Sequence, residues 1–212
     1  YECVMAMLGV SHTAPEGKKF AIDILKHLNE KCDEWNAEYN MGASVYGSPI
    51  EMTTYKFAAA LKKRFGIIKG ITDHDYITNS YHTSVREHID AFSKLSIEGE
   101  FQKYSLGGAI SYIEMPSMMH NIEAIIKVIQ HIYDHCMYAE LNTKSDYCQA
   151  CGFDGEIQII EDESGHLDWE CPRCGNRDHN TLTVTRRSCG YLGTQFWNQG
   201  RTEEIRDRVL HL

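Results

Sequence analysis

The sequence has no apolar run of the ~18–20 residues that a membrane-crossing helix requires, and its opening, Tyr1 to Val10, lacks the basic flank of a secretory signal. Both absences lead us to expect a soluble, cytoplasmic protein. A basic excess is also missing: 30 acidic residues against 21 basic ones give a formal net charge of -9. Phosphate backbones are tracked by clustered lysine and arginine, so nucleic acid is not expected as a partner, although single phosphorylated small molecules are not excluded. There is no internal repeat and no low-complexity tract. What is there, 212 residues with 42% hydrophobic ones, suffices for one sizeable core plus a small accessory module. The chain opens at Tyr1 on an apolar stretch (Val4, Met5, Met7, Leu8, Val10) that reads as buried structure already under way. It is expected to be a fragment of a longer polypeptide.

Of the eight cysteines, four stand as two Cys-x-x-Cys pairs and the others (Cys3, Cys32, Cys136, Cys189) are scattered. That usage favours metal binding in a reducing compartment over a disulfide scaffold. Cys148-x-x-Cys151 and Cys171-x-x-Cys174 are nineteen residues apart, and each is followed by a glycine, Gly152 or Gly175. A glycine there supplies the positive φ that turns two thiolates toward one ion. The spacing predicts a tetrahedral zinc site on Cys148, Cys151, Cys171 and Cys174. Between the pairs, Glu156–Ile160 and His166–Glu170 flank a polar turn at 162–165 and predict a β-hairpin. Four thiolates leave no open coordination position, so the zinc is expected to be structural. A grip on nucleic acid is opposed by the surrounding Asp154, Glu156, Glu161, Asp162, Glu163, Asp168 and Glu170.

Elsewhere, Thr13-x-x-Glu16 has the form of a capping box before Ala21, Ile24, Leu25, Leu28 and Cys32 at helical spacing, predicting a helix over about 15–35. Ala43–Tyr46 reads as a short strand, and Phe57, Ala60, Leu61 and Phe65 as the inner face of a following helix. Such strand–loop–helix units are typical of α/β folds. From 67 to 116 the pattern predicts short extended pieces, among them Ile67-Ile68, Tyr76–Thr78 and Ala109–Ile113. The strongest helical pattern runs over about 117–138, through Ile122, Ile125, Ile126, Ile129, Ile132, Tyr133 and Cys136. His131 and His135 imitate a metal pair at i, i+4 but lack the glutamate of the zinc-protease motif, and read as a helix edge. Met115, Met118 and Met119 read as gap-filling core. Gly107-Gly108, without a lysine partner, is a weak phosphate-binding signal.

Sixteen residues beyond Cys174 stands Gly190, within Arg186-Arg187-Ser188-Cys189-Gly190-Tyr191-Leu192-Gly193. Alone this is a glycine-bearing turn. Placed just after a four-cysteine module, Arg-x-Cys-Gly-Tyr-Leu-Gly resembles the radical loop of the anaerobic ribonucleotide reductases. The blocks Tyr46–Pro49, Thr78–His82, Gly107–Tyr112, Tyr138–Lys144 and Gly193–Arg201 resemble that family as well, so the likeness spans nearly all of the chain from Tyr46 onward.

The resemblance implies a fold, a chemistry and a set of partners. The fold implied is α/β: the C-terminal portion of a ten-stranded α/β barrel of the glycyl radical enzyme type over 1–145, with an appended four-cysteine zinc ribbon over 146–180 and a radical loop and C-terminal helix over 181–212. Gly190 is implied to store a radical on Cα, where the absence of a side chain allows flattening and close approach of a thiol. A separate activase with an iron–sulfur cluster and S-adenosylmethionine would install it. The radical would pass to a cysteine, and the thiyl would take the 3′-hydrogen of a ribonucleoside triphosphate, with formate as reductant. That cysteine and the allosteric sites are expected upstream of Tyr1; Cys32 and Cys136 lie on apolar helix stripes and read as structural. Tyr46 and Glu51, on a strand-to-helix loop of the kind where α/β folds bind ligands, match positions resembling active-site residues. A homodimer is implied for the full-length form. Other glycyl radical enzymes, of formate-lyase or dehydratase type, resemble Arg-Val-x-Gly-Tyr and lack the cysteine pairs. A non-enzymatic zinc-ribbon binding protein leaves the 186–201 block unexplained.

Overall fold

The computed structural model describes residues 1–47, 51–118, 120–188, 191–193 and 197–212, with the backbone alone for 51–52, 187–188 and 191–193. The amino-terminal half is helical: α1 (Glu2–Leu8), α2 (Pro15–Tyr39) and α3 (Glu51–Phe65). Helix α2 starts where Pro15 can occupy the first turn without losing a bond, but the capping box does not form. Ala14 is the N-cap, while the Thr13 hydroxyl bonds Glu87, and Ser11 Oγ joins the same carboxylate at 2.8 Å. Along α3 the expected inner face is displaced. Thr54 and Ala58 are buried, whereas Phe57 and Phe65 are exposed. Ala43–Tyr46 is not a strand; two backbone bonds, Gly107 N to Val45 O (2.7 Å) and Gly47 N to Gly108 O (2.8 Å), tie it to the 105–108 loop.

Between 67 and 116 one of the expected extended pieces becomes a strand, β1 (Ser111–Met115), and a helix stands where none is expected, α4 (Ala91–Gln102). Its inward residues explain the discrepancy. Lys94, Glu98 and Gln102 are buried beside Ala91, Leu95 and Phe101, so half of the inner face is polar and an apolar stripe is missing. Lys94 Nζ reaches Glu98 Oε1 at 2.5 Å, one turn away, and Thr83 N donates to the same oxygen at 2.8 Å. Burial opposes ionisation of Glu98, yet Lys94, with His82 in support, holds its carboxyl down at about 2. Asp90 caps the helix by accepting from Phe92 N and Ser93 N at 3.0 Å, a signal that is present in the sequence.

Helix α5 (Ile122–His135) connects β1 to β2 (Ala139–Thr143), which pair in parallel from Ser111↔Ala139 to Met115↔Thr143. It is shorter than the pattern predicts because Asn121 caps it and Cys136 is already extended. Ala91, Leu95, Ile113, Met115 and Val128 make the core here, with Met118, Ile132 and Cys136 packed on it; Met119 lies outside the described residues. A fully buried leucine or isoleucine contributes roughly 1.5–3 kcal/mol. All five residues of β1 are buried, as a parallel strand covered on both faces requires.

The last helix, α6 (Gln199–Asp207), is capped by Asn198, whose side chain accepts from Arg201 N. A Cβ on Gly200 would run into the backbone oxygen of Asp75 and the ring of Tyr55, so this glycine permits α6 to lie against the chain. Beyond α6, Arg208 pairs with both Glu204 and Glu114 at 3.1 Å. His211 then bonds β1 on both sides: its backbone N donates to Glu114 O, and its Nδ1 accepts from Glu114 N, each at 2.9 Å. Burial, with Lys94 adding to it, lowers His211 to about 4 from the usual 6.5. An unfolded His211 takes a proton near pH 6.5 and the folded one does not until about 4. Stability is therefore whole above the unfolded value and falls across that window, by roughly 3 kcal/mol. Thermal melts of the full-length protein should lose stability on acidification over this range, and His211→Asn, whose amide oxygen still accepts from Glu114 N, should flatten the slope. An unchanged slope would refute the assignment.

Candidate metal centre and adjoining hairpin

Strand β3 (Asp146–Cys148) pairs antiparallel with β4 (Phe153–Gly155), and the turn between them is the first cysteine knuckle. Gly152 at φ 69° donates to Cys148 O, and in the second knuckle Gly175 at φ 71° donates to Cys171 O, both at 2.9 Å. Two equivalent turns thus face one another. Cys148 Sγ lies 3.8 Å from Cys174 Sγ, and Cys151 Sγ lies 3.7 Å from Cys171 Sγ. All four sulfurs lie within 4.8 Å of one another. A disulfide would bring two of them to about 2.05 Å, whereas the edge of a zinc–thiolate tetrahedron with ~2.3 Å bonds is about 3.8 Å. The four residues fit a zinc ion.

Electrostatics agree with the geometry. Burial raises the Cys148 thiol, but the Asn176 side-chain amide and the backbone amides of Cys151 and Ala150 bring it down to about 6. For Cys174 the Asn176 backbone amide lowers the thiol, and crowding by the thiols of Cys151, Cys171 and Cys148 together with burial pushes it up to about 12. Without a cation, four sulfurs this close cannot share four negative charges.

The intervening segment forms the expected hairpin, β5 (Gln158–Glu161) against β6 (Leu167–Glu170), in register from Gln158↔Glu170 to Glu161↔Leu167. Strand β7 (Leu182–Thr183) returns to pair with β3. Ile157, Trp169, Leu182 and Val184 join Cys148 and Cys171 in a small core, which Ile205 of α6 completes. Next come β8 (Arg186–Ser188) and β9 (Tyr191–Gly193), an antiparallel pair with Ser188 opposite Tyr191. Gly190 and Cys189 fall between these partners in sequence and lie outside the described residues.

Sequence reasoning passed over two residues of this module. Asn176 donates to Cys148 Sγ at 3.6 Å. Asp146 is buried on the same face of β3 as Cys148, with the exposed Tyr147 between them. The alternation was legible, since an aspartate two residues before an inward cysteine also points inward and needs a partner.

The other expected site residues stand apart from the sulfurs. Tyr46 is exposed on the 43–47 loop, and a Cβ on Gly108 would come within 3.0 Å of its ring. Gly107-Gly108 therefore serves close packing of that loop. Glu51 opens α3, and its side chain is not described. His131 and His135 stack at 3.9 Å between centroids, and His131 Nε2 is engaged by Ser96 Oγ and Phe92 O, which agrees with a helix edge. A further cluster, His74 with Glu203 and Asp207, joins the 72–76 loop to α6. Arg86 donates to His74 Nε2, so that nitrogen is already engaged, while Nδ1 faces Glu203 and Asp207. A cavity of about 60 Å³ between β1 and the C-terminal limb carries Lys94, Arg201 and Arg208 against Glu114 and Glu204.

Parallel strands joined through a helix, followed by facing cysteine knuckles and a hairpin, define a mixed α/β protein with a compact four-thiol module. Within that class, the chain belongs to the anaerobic ribonucleoside-triphosphate reductase family, whose model matches residues 1–211. It is 36% identical over 217 residues to the anaerobic ribonucleoside-triphosphate reductase of Haemophilus influenzae and 35% identical to that of Escherichia coli, in each case across 100% of this chain and 30% of the relative. The enzyme of phage T4 is 33% identical over 92% of the chain and 32% of its own length. The chain thus spans about a third of the length of these relatives. Among solved structures, an anaerobic ribonucleotide reductase superposes with TM-score 0.71 at 21% identity, covering 99% of this chain and 32% of that one. The Thermotoga maritima enzyme with MES in the active site gives 0.65 over 91% of this chain and 30% of its own. These likenesses speak for the fold.

Proposed function

We propose that the protein containing this chain reduces ribonucleoside triphosphates to 2′-deoxyribonucleoside triphosphates under anaerobic conditions, by glycyl and thiyl radical chemistry. The observation that carries this reading is the four-sulfur cage immediately before the Arg186–Gly193 hairpin, in a chain that matches the reductase family from 1 to 211. In this reading residues 1–145 are the last part of the catalytic α/β barrel, 146–180 a zinc ribbon, and 181–212 the radical loop with its C-terminal helix.

Cys148, Cys151, Cys171 and Cys174 would hold a zinc ion, whose contribution is structural because four thiolates close its coordination. Gly190 stores the radical after a radical S-adenosylmethionine activase removes one α-hydrogen. It regains a hydrogen from a cysteine thiol elsewhere in the protein, and the thiyl so formed takes the 3′-hydrogen of the ribose. The 2′-hydroxyl leaves as water, and formate, oxidised to carbon dioxide, supplies the two electrons. Tyr46 and Glu51 contribute on the substrate side. The full-length protein is a cytoplasmic homodimer. Anaerobic incubation of that protein with activase, reductant and S-adenosylmethionine should give a carbon-centred doublet in electron paramagnetic resonance, and deoxynucleotide once substrate and formate are added. Product formation with no radical signal would sink the mechanism.

A further inference from the structure

We infer that Asp146, Arg186 and Trp169 are positioning residues that set where the Gly190 loop stands relative to the sulfur cluster; this rests on the reading of Gly190 as the radical carrier. Asp146 is 1% exposed and joins three segments. Its Oδ2 accepts from Ile157 N at 2.8 Å, where the ribbon hairpin begins. Its Oδ1 accepts from Thr185 N at 3.0 Å and from the Arg186 guanidinium, at the base of β8. Arg186, 4% exposed, also donates to Ile157 O at 3.3 Å and lies over the Trp169 indole at 5.2 Å.

The same indole receives the chain on its return. Trp197 packs on Trp169 at 6.0 Å between centroids. Gln199 then clasps the backbone of Leu167, accepting from its N at 2.6 Å and donating to its O at 2.9 Å. Arg186 and Trp197, the residues that flank 187–196 in sequence, are therefore both seated on Trp169 of β6, two residues ahead of Cys171.

A buried ion pair is a poor source of net stability, since desolvation of the two charges offsets their attraction. Its geometry is another matter. The planar guanidinium, held by a carboxylate on one side and an indole face on another, has one orientation, which a lysine cannot reproduce. Hydrogen transfer between Gly190 and a thiol demands reacting atoms within ~3–3.5 Å, and a displacement of about 1 Å costs ~100-fold. A loop carrying such an atom needs fixed ends.

The test uses the full-length protein with Asp146→Asn, Arg186→Lys and Trp169→Phe. Each variant should keep its zinc by elemental analysis, and Asp146→Asn, which leaves the Arg186 charge buried without its carboxylate, should melt lowest. Proteolysis within 187–196 should accelerate at least ~10-fold while the ribbon stays intact, a readout that does not involve the radical. Radical yield per zinc should fall at least ~10-fold in Asp146→Asn and Arg186→Lys, and less in Trp169→Phe, which keeps an aromatic face. Deoxynucleotide turnover per radical spin should fall as well; a pair that merely stabilised the fold would leave it at the wild-type value. Wild-type protection of 187–196 together with wild-type turnover per spin overturns the inference, as does loss of zinc from Asp146→Asn. Absence of a radical in the wild type refutes the reading of Gly190 instead, and proteolysis still decides the clamp.

Discussion

Gly190→Ala in the full-length protein should abolish both the radical doublet and deoxynucleotide formation, an all-or-none effect. A Cα radical is stabilised when the flanking amide nitrogen donates and the carbonyl withdraws, which needs a flat Cα. A methyl group hinders that flattening and blocks approach of the activase and of the thiol. In the wild type the doublet should show splitting from the one remaining α-hydrogen, and admitted oxygen should cut the activated backbone, releasing a C-terminal peptide that begins near Gly190. The neighbouring glycines are the rivals. Gly193 is paired with Arg186 in the β8–β9 ladder, and Gly200 is buried within α6 against the backbone of Asp75 and the ring of Tyr55. A doublet that persists in Gly190→Ala, or cleavage that maps to either rival, would overturn the assignment even within the right family.

The second large effect belongs to Cys171→Ser, which should lose the zinc and, with it, order in the following hairpin. A serine hydroxyl stays protonated where a thiolate is needed. Structural zinc contributes an apparent ~10–16 kcal/mol in small modules, far more than the core of Ile157, Trp169, Leu182 and Val184 can replace. Elemental analysis should fall from one zinc per chain to none, and radical yield should collapse together with it. Cys136→Ser is the control: that sulfur donates to Leu95 O at 3.4 Å, and burial pushes its thiol up to about 11, so zinc and radical should both survive. Full activation of Cys171→Ser would show that the loop holds its place without the metal.

Several features were legible because their cause lies within a few residues. The two Cys-x-x-Cys-Gly turns need only a short chain and a positive φ, and they came out as facing knuckles. Helix α5 carries its apolar stripe in its own periodicity, and the β5–β6 hairpin its turn between two alternating runs. Family membership was likewise carried by short blocks spread along the chain. The capping box failed for the complementary reason: Thr13 had a choice between a local amide and a distant carboxylate, Glu87, and took the latter.

By itself, then, the sequence determined the knuckles, the hairpin, helices α2, α3 and α5, and the family. Tertiary structure alone decided the inward faces of α3 and α4, the seating of α6 and the buried ion pairs. Lys94 and Glu98 on a helix look like a solvated pair until the chain around them closes and leaves both buried. Asp146 meets Arg186 forty residues on, and Glu114 meets Arg208 ninety-four residues on. Whether a charge faces water or a partner is settled by what folds over it, and no local pattern of residues records that.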